Sequence, residues 1–339
     1  MTRSERIVAL SKLGRQLTPE NELLAAHVHR SSVHNPWFTT ENQWTMLRSI
    51  ASEYLEAGKL ANWLANYPVS TLAHRPRKIG IVMAGNLPLV GFHDWLCVFA
   101  SGNQAQVKLS EKDPFLFPYI VSLLEKIAPR TARSTVFVEK LQDFDAVIAT
   151  GSNNTARYFE EYFGRFPHII RRNRNSVAIL TGSESDAEIT ALGHDIFQYF
   201  GLGCRNVSKV IVPEGYNPEH LLEVLHSYRE IILHEKYKHN FDYNFALYSI
   251  NRVPFKINGC LILVENPSLK SRIGVLHYAH YKNQSELAAE LQEQQEQIQC
   301  IVGQSGVVQL PVIPFGKSQS PALTDYADHV DTMQFLLGI

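Results

Sequence analysis

From Lys78 onward the sequence alternates short apolar runs with stretches of helical period, and few folds accept that alternation. KIGIVMAG (78–85) is almost continuously apolar, as expected of a strand buried on both faces of a parallel sheet. A turn containing Gly85, Asn86 and Pro88 follows, then a helical stretch to about Ala100. QAQVKLS (104–110) reads as a second strand. Residues 114–127 suit a helix with Asp113 as N-cap and Pro114 at its first position. STVFVE (134–139) and DAVIATG (145–151) are further strands, and NTARYFEEYFG (154–164) is a helix closed by Gly164. SVAIL (176–180) is another strand, and Asp186 opens a helix to about Phe200.

After Cys204 the pattern resumes. KVIVP (209–213) reads as a strand and 217–233 as a helix. CLILVE (260–265) and RIGVLHY (272–278) are strands, QSELAAELQEQQEQ (284–297) a polar-rich helix, and QCIVG and GVVQLPVI late strands. The alternation predicts an α/β chain with doubly wound parallel sheets. Ahead of it, residues 1 to about 70 read as helical, with Leu10, Leu13 and Leu17 on one face and Trp44, Leu47, Ile50 and Leu55 repeating the pattern. A chain of 339 residues is long enough for two such domains.

Composition removes several functional classes. Apolar residues make up 45% and charged residues 19%, which supplies a core and argues against a long solvated tail. The net charge is −1, from 32 basic and 33 acidic residues, so a nucleic-acid partner is not expected. His27 and His29 lack Cys or carboxylate neighbours at ligand spacing, and no metal site is expected. The four cysteines, 97, 204, 260 and 300, form no CxxC and read as reduced thiols of a cytoplasmic protein. The N-terminus has no continuous apolar core of a secretory signal. The most apolar stretch, PLVGFHDWLCVFASG, is broken by His93 and Asp94, so no membrane span is expected.

Four features carry possible chemistry. Cys204, in YFGLGCRNVSKVIVP, lies between a helix and a strand after two closely spaced glycines, where backbone N–H groups can lower a thiol pKa. Cys97 and Cys260 sit inside apolar runs and Cys300 starts a strand, which suits buried thiols. MAGNLPLVG (83–91) puts the Asn86 amide at the carboxyl end of a strand, where it can donate to a developing oxyanion. Lys108, Ser110 and Glu111 end the next strand and suit the hydroxyls of a nucleotide ribose. Thr150, Gly151 and Ser152 lead straight into a helix whose N–H groups can face a pyrophosphate. The GxGxxG fingerprint is absent, and GLGCRN only mimics its beginning. Each feature alone is equally an ordinary turn or strand end.

In order, strand–GNLP, GN-x4-KLSE, TGS–helix and G-x-x-C-x4-K–strand, the series resembles the aldehyde dehydrogenase superfamily. That pattern is an Asn-aromatic-Pro motif, GN…K-P-S-E, TGS, and a G-Q-x-C nucleophile with a basic residue five positions later. Gly201 and Lys209 stand correctly around Cys204, and GKSQSPALTDYADHVDTMQFL looks like a divergent C-terminal segment of the family. The resemblance spans about 78 to 339 and is nearest to the LuxC-type branch, the fatty acyl-CoA reductases of bacterial luminescence operons and their relatives.

The resemblance implies a helical segment plus a nicotinamide-cofactor domain over 1–175, a catalytic domain over 176–315, and a segment 316–339 that returns to the first domain or an oligomer interface. It implies Cys204 as nucleophile, Asn86 as oxyanion donor, and Lys108, Ser110, Glu111, Thr150, Gly151 and Ser152 as cofactor-binding residues. It implies NADPH, with NADH possible, coenzyme A as a substrate and product moiety, and a homo-oligomer. Glu111 argues against a 2′-phosphate and Lys112 offsets it.

Two departures inform the chemistry. Hydrolytic members carry a general-base glutamate in an E-L-G-G-K-S-P stretch, and counting back from Ser176 its position falls near Arg171 of RRNRNSVAIL. Without that base water is poorly activated, whereas a thiol partner needs less help. Arg171, Arg172 and Arg174 either face phosphates or form an exposed basic strand end. The family's ribose-binding glutamate has no clear equivalent, Glu265 being the nearest. The expected reaction is reduction of an acyl-CoA to an aldehyde; the alternatives are an acyl-phosphate reductase of the same superfamily and a non-catalytic nucleotide-binding scaffold.

Overall fold

The structure, a computed structural model, describes residues 1–67 and 76–339, so the end of the expected N-terminal helical stretch, 68–70, lies outside the described residues. The chain divides into two compact units, 1–173 with 321–339, and 174–320.

The first unit opens with α1 (Arg3–Gly14), α2 (Glu22–His34), α3 (Thr40–Ser49) and α4 (Ala57–Ala65). Thr2 and Glu5 start α1 with a reciprocal capping box, each side chain accepting the other's backbone N–H. Leu10, Leu13, Leu17, Leu47, Ile50 and Leu55 all enter one buried cluster. Between α3 and α4 a wide π turn, Ile50–Tyr54, re-aims the apolar face so that Leu55 still points inward.

Next come β1 (Lys78–Val82), α5 (Phe92–Ser101), β2 (Gln104–Lys108), α6 (Leu116–Ile127), β3 (Thr135–Phe137), β4 (Ala146–Thr150), α7 (Asn153–Phe163) and β5 (His168–Arg171). Among the described residues they form a parallel sheet in the order β3-β2-β1-β4-β5. The order reverses between β1 and β4, and at such a switch point the loops at the carboxyl edge diverge and leave a crevice. β1 is buried from Ile79 to Ile81 and α5 from Trp95 to Ala100, which accounts for their unbroken apolar texture.

Two sequence expectations need correction here, and one strand was missed. The helix after β2 starts at Leu116, not Pro114, and has no side-chain cap; the Asp113 carboxylate is engaged elsewhere. β5 was not foreseen, because HIIR is short and lies between Pro167 and a basic run. Arg171, at its end, is neither exposed nor turned toward a ligand, as set out below.

The second unit contains β6 (Asn175–Ile179), α8 (Asp186–Phe197), β7 (Val207–Pro213), α9 (Glu219–Leu225), α10 (Glu235–Ile250), β8 (Lys256–Ile257), β9 (Ile262–Glu265), β10 (Val275–Tyr281), α11 (Gln284–Glu293), β11 (Ile298–Gly303) and β12 (Val312–Ile313). The sheet order is β12-β11-β6-β7-β10-β9-β8, parallel except for the antiparallel edge β8. α8 stops at Phe197 rather than Phe200, because Tyr199 and Phe200 take left-handed backbone angles. The stretch 217–233 is α9 followed by a 3-10 turn. α10 escaped the sequence reading because it buries only Tyr237, Phe241 and Asn244 and so lacks a clear apolar stripe. GVVQLPVI yields only β12, since Gly306 turns left-handed and Pro311 has no N–H for a ladder. Cys300 lies within β11 rather than at its start.

The chain then rejoins the first unit through α12 (Thr332–Leu337), whose Thr332, Met333 and Leu336 are buried. Tyr326, just before it, accepts the Trp63 indole N–H at 2.8 Å, and the Tyr67 hydroxyl donates to Asp331 at 2.7 Å. Among the described residues no helix is long and apolar enough to cross a membrane, and no group of three or more His, Cys, Asp or Glu could hold a metal ion.

Candidate active site

In the first unit the parallel strands bring three turns to one sheet edge. β1 runs into Met83–Gly91, β2 into Leu109–Asp113, and β4 into Gly151 and Ser152. Asn86 is exposed on the first turn. Its neighbour Gly85 touches Ser110 so closely that a Cβ there would lie 2.3 Å from Ser110 Oγ. Leu89, three residues on, is buried with φ 58°, and its N–H donates to Asp113 Oδ2 at 2.9 Å.

On the second turn Lys108 is exposed, and its ammonium donates to the Glu139 carbonyl at 2.8 Å. Ser110 Oγ accepts the Lys112 N–H at 3.2 Å, while Glu111 and Lys112 are exposed. The same turn is braced from α2, where the His34 ring bonds the Glu111 carbonyl at 2.7 Å and the Asn35 amide donates to the Lys112 carbonyl.

On the third turn Ser152 caps α7, accepting the Thr155 N–H at 3.2 Å. A Cβ at Gly151 would come within 3.0 Å of Phe159 and Thr155, so glycine keeps that turn close over the helix. Asn86, Lys108, Ser110, Glu111, Thr150, Gly151 and Ser152 therefore share the carboxyl edge of one sheet.

Arg171 departs from its expected place. It is 3% exposed and donates to both oxygens of Asp94, at 2.6 and 3.3 Å, to Thr332 Oγ1 at 2.8 Å and to the Ala327 carbonyl. Burial alone would lower its pKa, but the Asp94 carboxylate beside it raises the pKa instead. Arg172 is exposed and pairs with Glu160; Arg174 donates to the Gln295 and Ile298 carbonyls.

In the second unit Cys204 lies between the end of α8 and the start of β7, hence at the amino edge of its sheet. It is exposed, whereas Cys97, Cys260 and Cys300 are buried. Burial pushes the Cys260 and Cys300 thiols up to about 11 and raises Cys97 well above its ordinary value.

The loop that carries Cys204 is locked by residues the sequence reading did not single out. Tyr199, Phe200 and Gly201 are three successive left-handed residues, at φ 53°, 59° and 73°. Asn206 spans them: its carbonyl oxygen accepts the Gly203 N–H at 2.8 Å, and its amide donates to the carbonyls of Gln198 (2.8 Å) and Asp195 (3.0 Å). Ser176, at the start of β6, donates to the Cys204 carbonyl at 2.9 Å and lies 3.0 Å from Cys300 Sγ. Asp195 is fully buried, its oxygens accepting the Gly316 and Ser318 N–H groups, and burial raises its pKa. The usable signal was Asn206 itself, a side chain able to serve two turns at once, two residues after the thiol.

Lys209 is buried, its ammonium donating to the Pro267 carbonyl at 2.9 Å. Glu265 ends β9 and is exposed.

No family model matches the chain. Among curated proteins it is similar to the long-chain acyl-protein thioester reductase of Vibrio harveyi, 25% identical over 203 residues. That match covers 54% of this chain and 42% of the relative, so it spans less than half of the relative's length. Among solved structures, an aldehyde dehydrogenase from Physcomitrella patens superposes at a TM-score of 0.71 with 13% identity, over 100% of this chain and 84% of the other. An NAD-dependent aldehyde dehydrogenase from Sinorhizobium meliloti gives 0.67 with 14% identity, over 90% and 71%. The chain thus has the aldehyde dehydrogenase fold, and its sequence is similar to the Vibrio harveyi thioester reductase over 203 residues.

Proposed function

We propose that the protein reduces an acyl-CoA thioester to the aldehyde with a reduced nicotinamide cofactor, through an acyl group carried on Cys204. The observation that supports this most is the state of the cysteines: of the four, Cys204 is the exposed one, and its loop is fixed by a buried amide. The Vibrio harveyi relative is a long-chain acyl-protein thioester reductase, which supports a long-chain acyl thioester as substrate class.

The residues on the first unit's sheet edge suit a dinucleotide. An ammonium, a hydroxyl and a carboxylate follow one another at Lys108, Ser110 and Glu111, and the tight Gly151 turn leads into the N-terminus of α7, where backbone N–H groups attract phosphate. When bound, the nicotinamide supplies the hydride. The reading keeps NADPH, with NADH as the alternative, since Glu111 and Lys112 are exposed side by side with opposite effects on a 2′-phosphate.

In the proposed reaction the Cys204 thiolate adds to the thioester carbonyl. The Asn86 side-chain amide and the Cys204 N–H are assigned to the oxyanion. The carbon–sulfur bond to coenzyme A breaks, the coenzyme leaves as its thiolate, and the acyl group stays on Cys204. Reduction of that acyl group gives a thiohemiacetal, which releases the aldehyde and restores the thiolate. Hydrolysis is disfavoured on this reading because, counting back along the sequence, the position of the hydrolytic glutamate falls near Arg171, a residue already paired with Asp94.

Incubation with radiolabelled long-chain acyl-CoA, with and without NADPH, tests this. Label is expected on the peptide carrying Cys204 and, after NADPH is added, in free aldehyde. Label confined to another cysteine, or turnover of acyl phosphate alone, would overturn it.

A further inference from the structure

The turn carrying Asn86 and the turn carrying Lys108, Ser110 and Glu111 are joined by one buried carboxylate. We propose that Asp113 is a positioning residue that holds these two turns as one unit for catalysis. Its kinetic consequence rests on the proposed function; its structural consequence does not.

Asp113 is 6% exposed, and its own N–H donates to the Ser110 carbonyl at 3.1 Å. It thus belongs to the Lys108 turn. Its Oδ2 accepts the N–H of Leu89, on the Asn86 turn, at 2.9 Å. Leu89 is buried at φ 58°, a left-handed angle that leucine adopts at a cost, so something must over-determine it. The Asp113 bond does so. A second contact, Ser110 against Gly85, lies on the other side of Asn86, so the exposed amide is gripped from both flanks.

The other carboxylate oxygen, Oδ1, is buried and has no hydrogen-bond partner. A residue kept only to stabilise the fold would not leave a charged oxygen in that state, since an unpaired buried charge is destabilising. Burial pushes the Asp113 pKa up to about 6, against the lowering by the Leu89 N–H and by His34. The charged group that acts on it is His34 on α2, while its chain neighbours Glu111 and Lys112 are exposed. The Asn86 turn, residues 83–91, contains no titratable side chain; α6 carries Tyr119 near its start, its hydroxyl donating to Asn21, and Glu125 and Lys126 in its last turn.

The sign of the linkage follows. A folded pKa near 6, above the ordinary 3.8, means that stability contributed by the neutral acid is fully present below 3.8, falls as pH rises from there to about 6, and is gone above it. The native protein is therefore less stable above pH 6 than it would be with a neutral group at this position. Asp113→Asn keeps an oxygen for Leu89 but never ionises.

Three readouts on Asp113→Asn and wild type decide the matter. At pH 8 the variant is expected to melt higher than wild type, with a folding equilibrium up to about 100-fold more favourable, and the gap narrows below pH 6 and closes only toward about pH 4. Amide exchange across 85–91 at pH 7.5 is expected to be about 10-fold faster in the variant, because a neutral acceptor holds Leu89 more weakly. Wild type itself should lose protection in that segment, beyond the intrinsic pH effect, below about pH 6. Turnover of acyl-CoA should fall about 10-fold with KM within about threefold. Unchanged exchange at 85–91 in both the variant and the wild-type pH series overturns the coupling. A variant with faster exchange and wild-type turnover overturns its catalytic role. Absence of acyl-CoA turnover in wild type strikes the proposed function instead, and the exchange and melting data still decide the coupling.

Discussion

Arg171 and Asp94 form a buried ion pair at 2.6 Å, between the end of β5 and α5, and the same guanidinium holds Thr332 on the returning C-terminal helix. Every oxygen that Asp94 and Thr332 offer here is thus tied to one planar donor. Removing one partner leaves the other charged and dry, so Arg171→Met or Asp94→Asn should each cost about 3–5 kcal/mol, seen as a lower denaturant midpoint. The double replacement should recover part of that loss. Additive single effects would show that the two groups are not coupled.

Cys204→Ser should abolish acyl-enzyme formation and aldehyde production while leaving cofactor binding near normal. The prediction rests on the exposure of this thiol beside three buried ones. It fails if the serine variant turns over fully and label appears on Cys97, Cys260 or Cys300.

Lys108→Ala should weaken nicotinamide cofactor binding more than acyl-CoA binding. The ammonium stands at the end of β2, held by the Glu139 carbonyl, so it is pre-positioned rather than free to wander. Losing a charge-assisted hydrogen bond costs about 1.5–3 kcal/mol, which fluorescence titration of the cofactor would resolve. Equal affinities in variant and wild type would remove Lys108 from the cofactor site.

The strands of the parallel sheets were legible because burial on both faces forces unbroken apolar runs such as KIGIV and SVAI. The order of GNLP, KLSE, TGS and GLGC was legible because each must sit in a turn at a strand end. What stayed hidden was tertiary. Arg171 looks like a surface charge until the C-terminal segment folds over it. Asp113 followed by Pro114 has the local signature of a helix start, yet the distant Leu89 N–H claims the carboxylate. Asn206 is a hint of a braced turn, but nothing in the sequence marks Tyr199 and Phe200, which it spans, as left-handed.

Asn206→Ala should loosen the Cys204 loop. It removes an acceptor for Gly203 and donors for the Gln198 and Asp195 carbonyls, and with them the hydrogen bonds that span left-handed Tyr199 and Phe200. Unsatisfied groups of this kind cost about 1–3 kcal/mol each, so the melting temperature falls. The informative readout is the iodoacetamide reaction rate of Cys204 at temperatures where the variant is still folded. An unchanged rate would confine Asn206 to stability.

Asn86→Ala separates the oxyanion role from a turn role. Two contacts that brace the turn do not depend on the Asn86 amide: Gly85 packs on Ser110 and Leu89 is bonded to Asp113, and both survive the substitution. Alanine at this site should therefore shift the melting temperature little. If the amide meets the oxyanion, its contribution is made in the transition state and hardly at all in the ground state. Removing such a donor typically lowers turnover by about 100- to 1,000-fold, with KM far less affected. A turn residue gives the opposite pattern, a lower melting temperature with turnover intact per folded molecule. Measuring both on one preparation decides between them, and a well-folded variant with wild-type turnover would take Asn86 out of the mechanism.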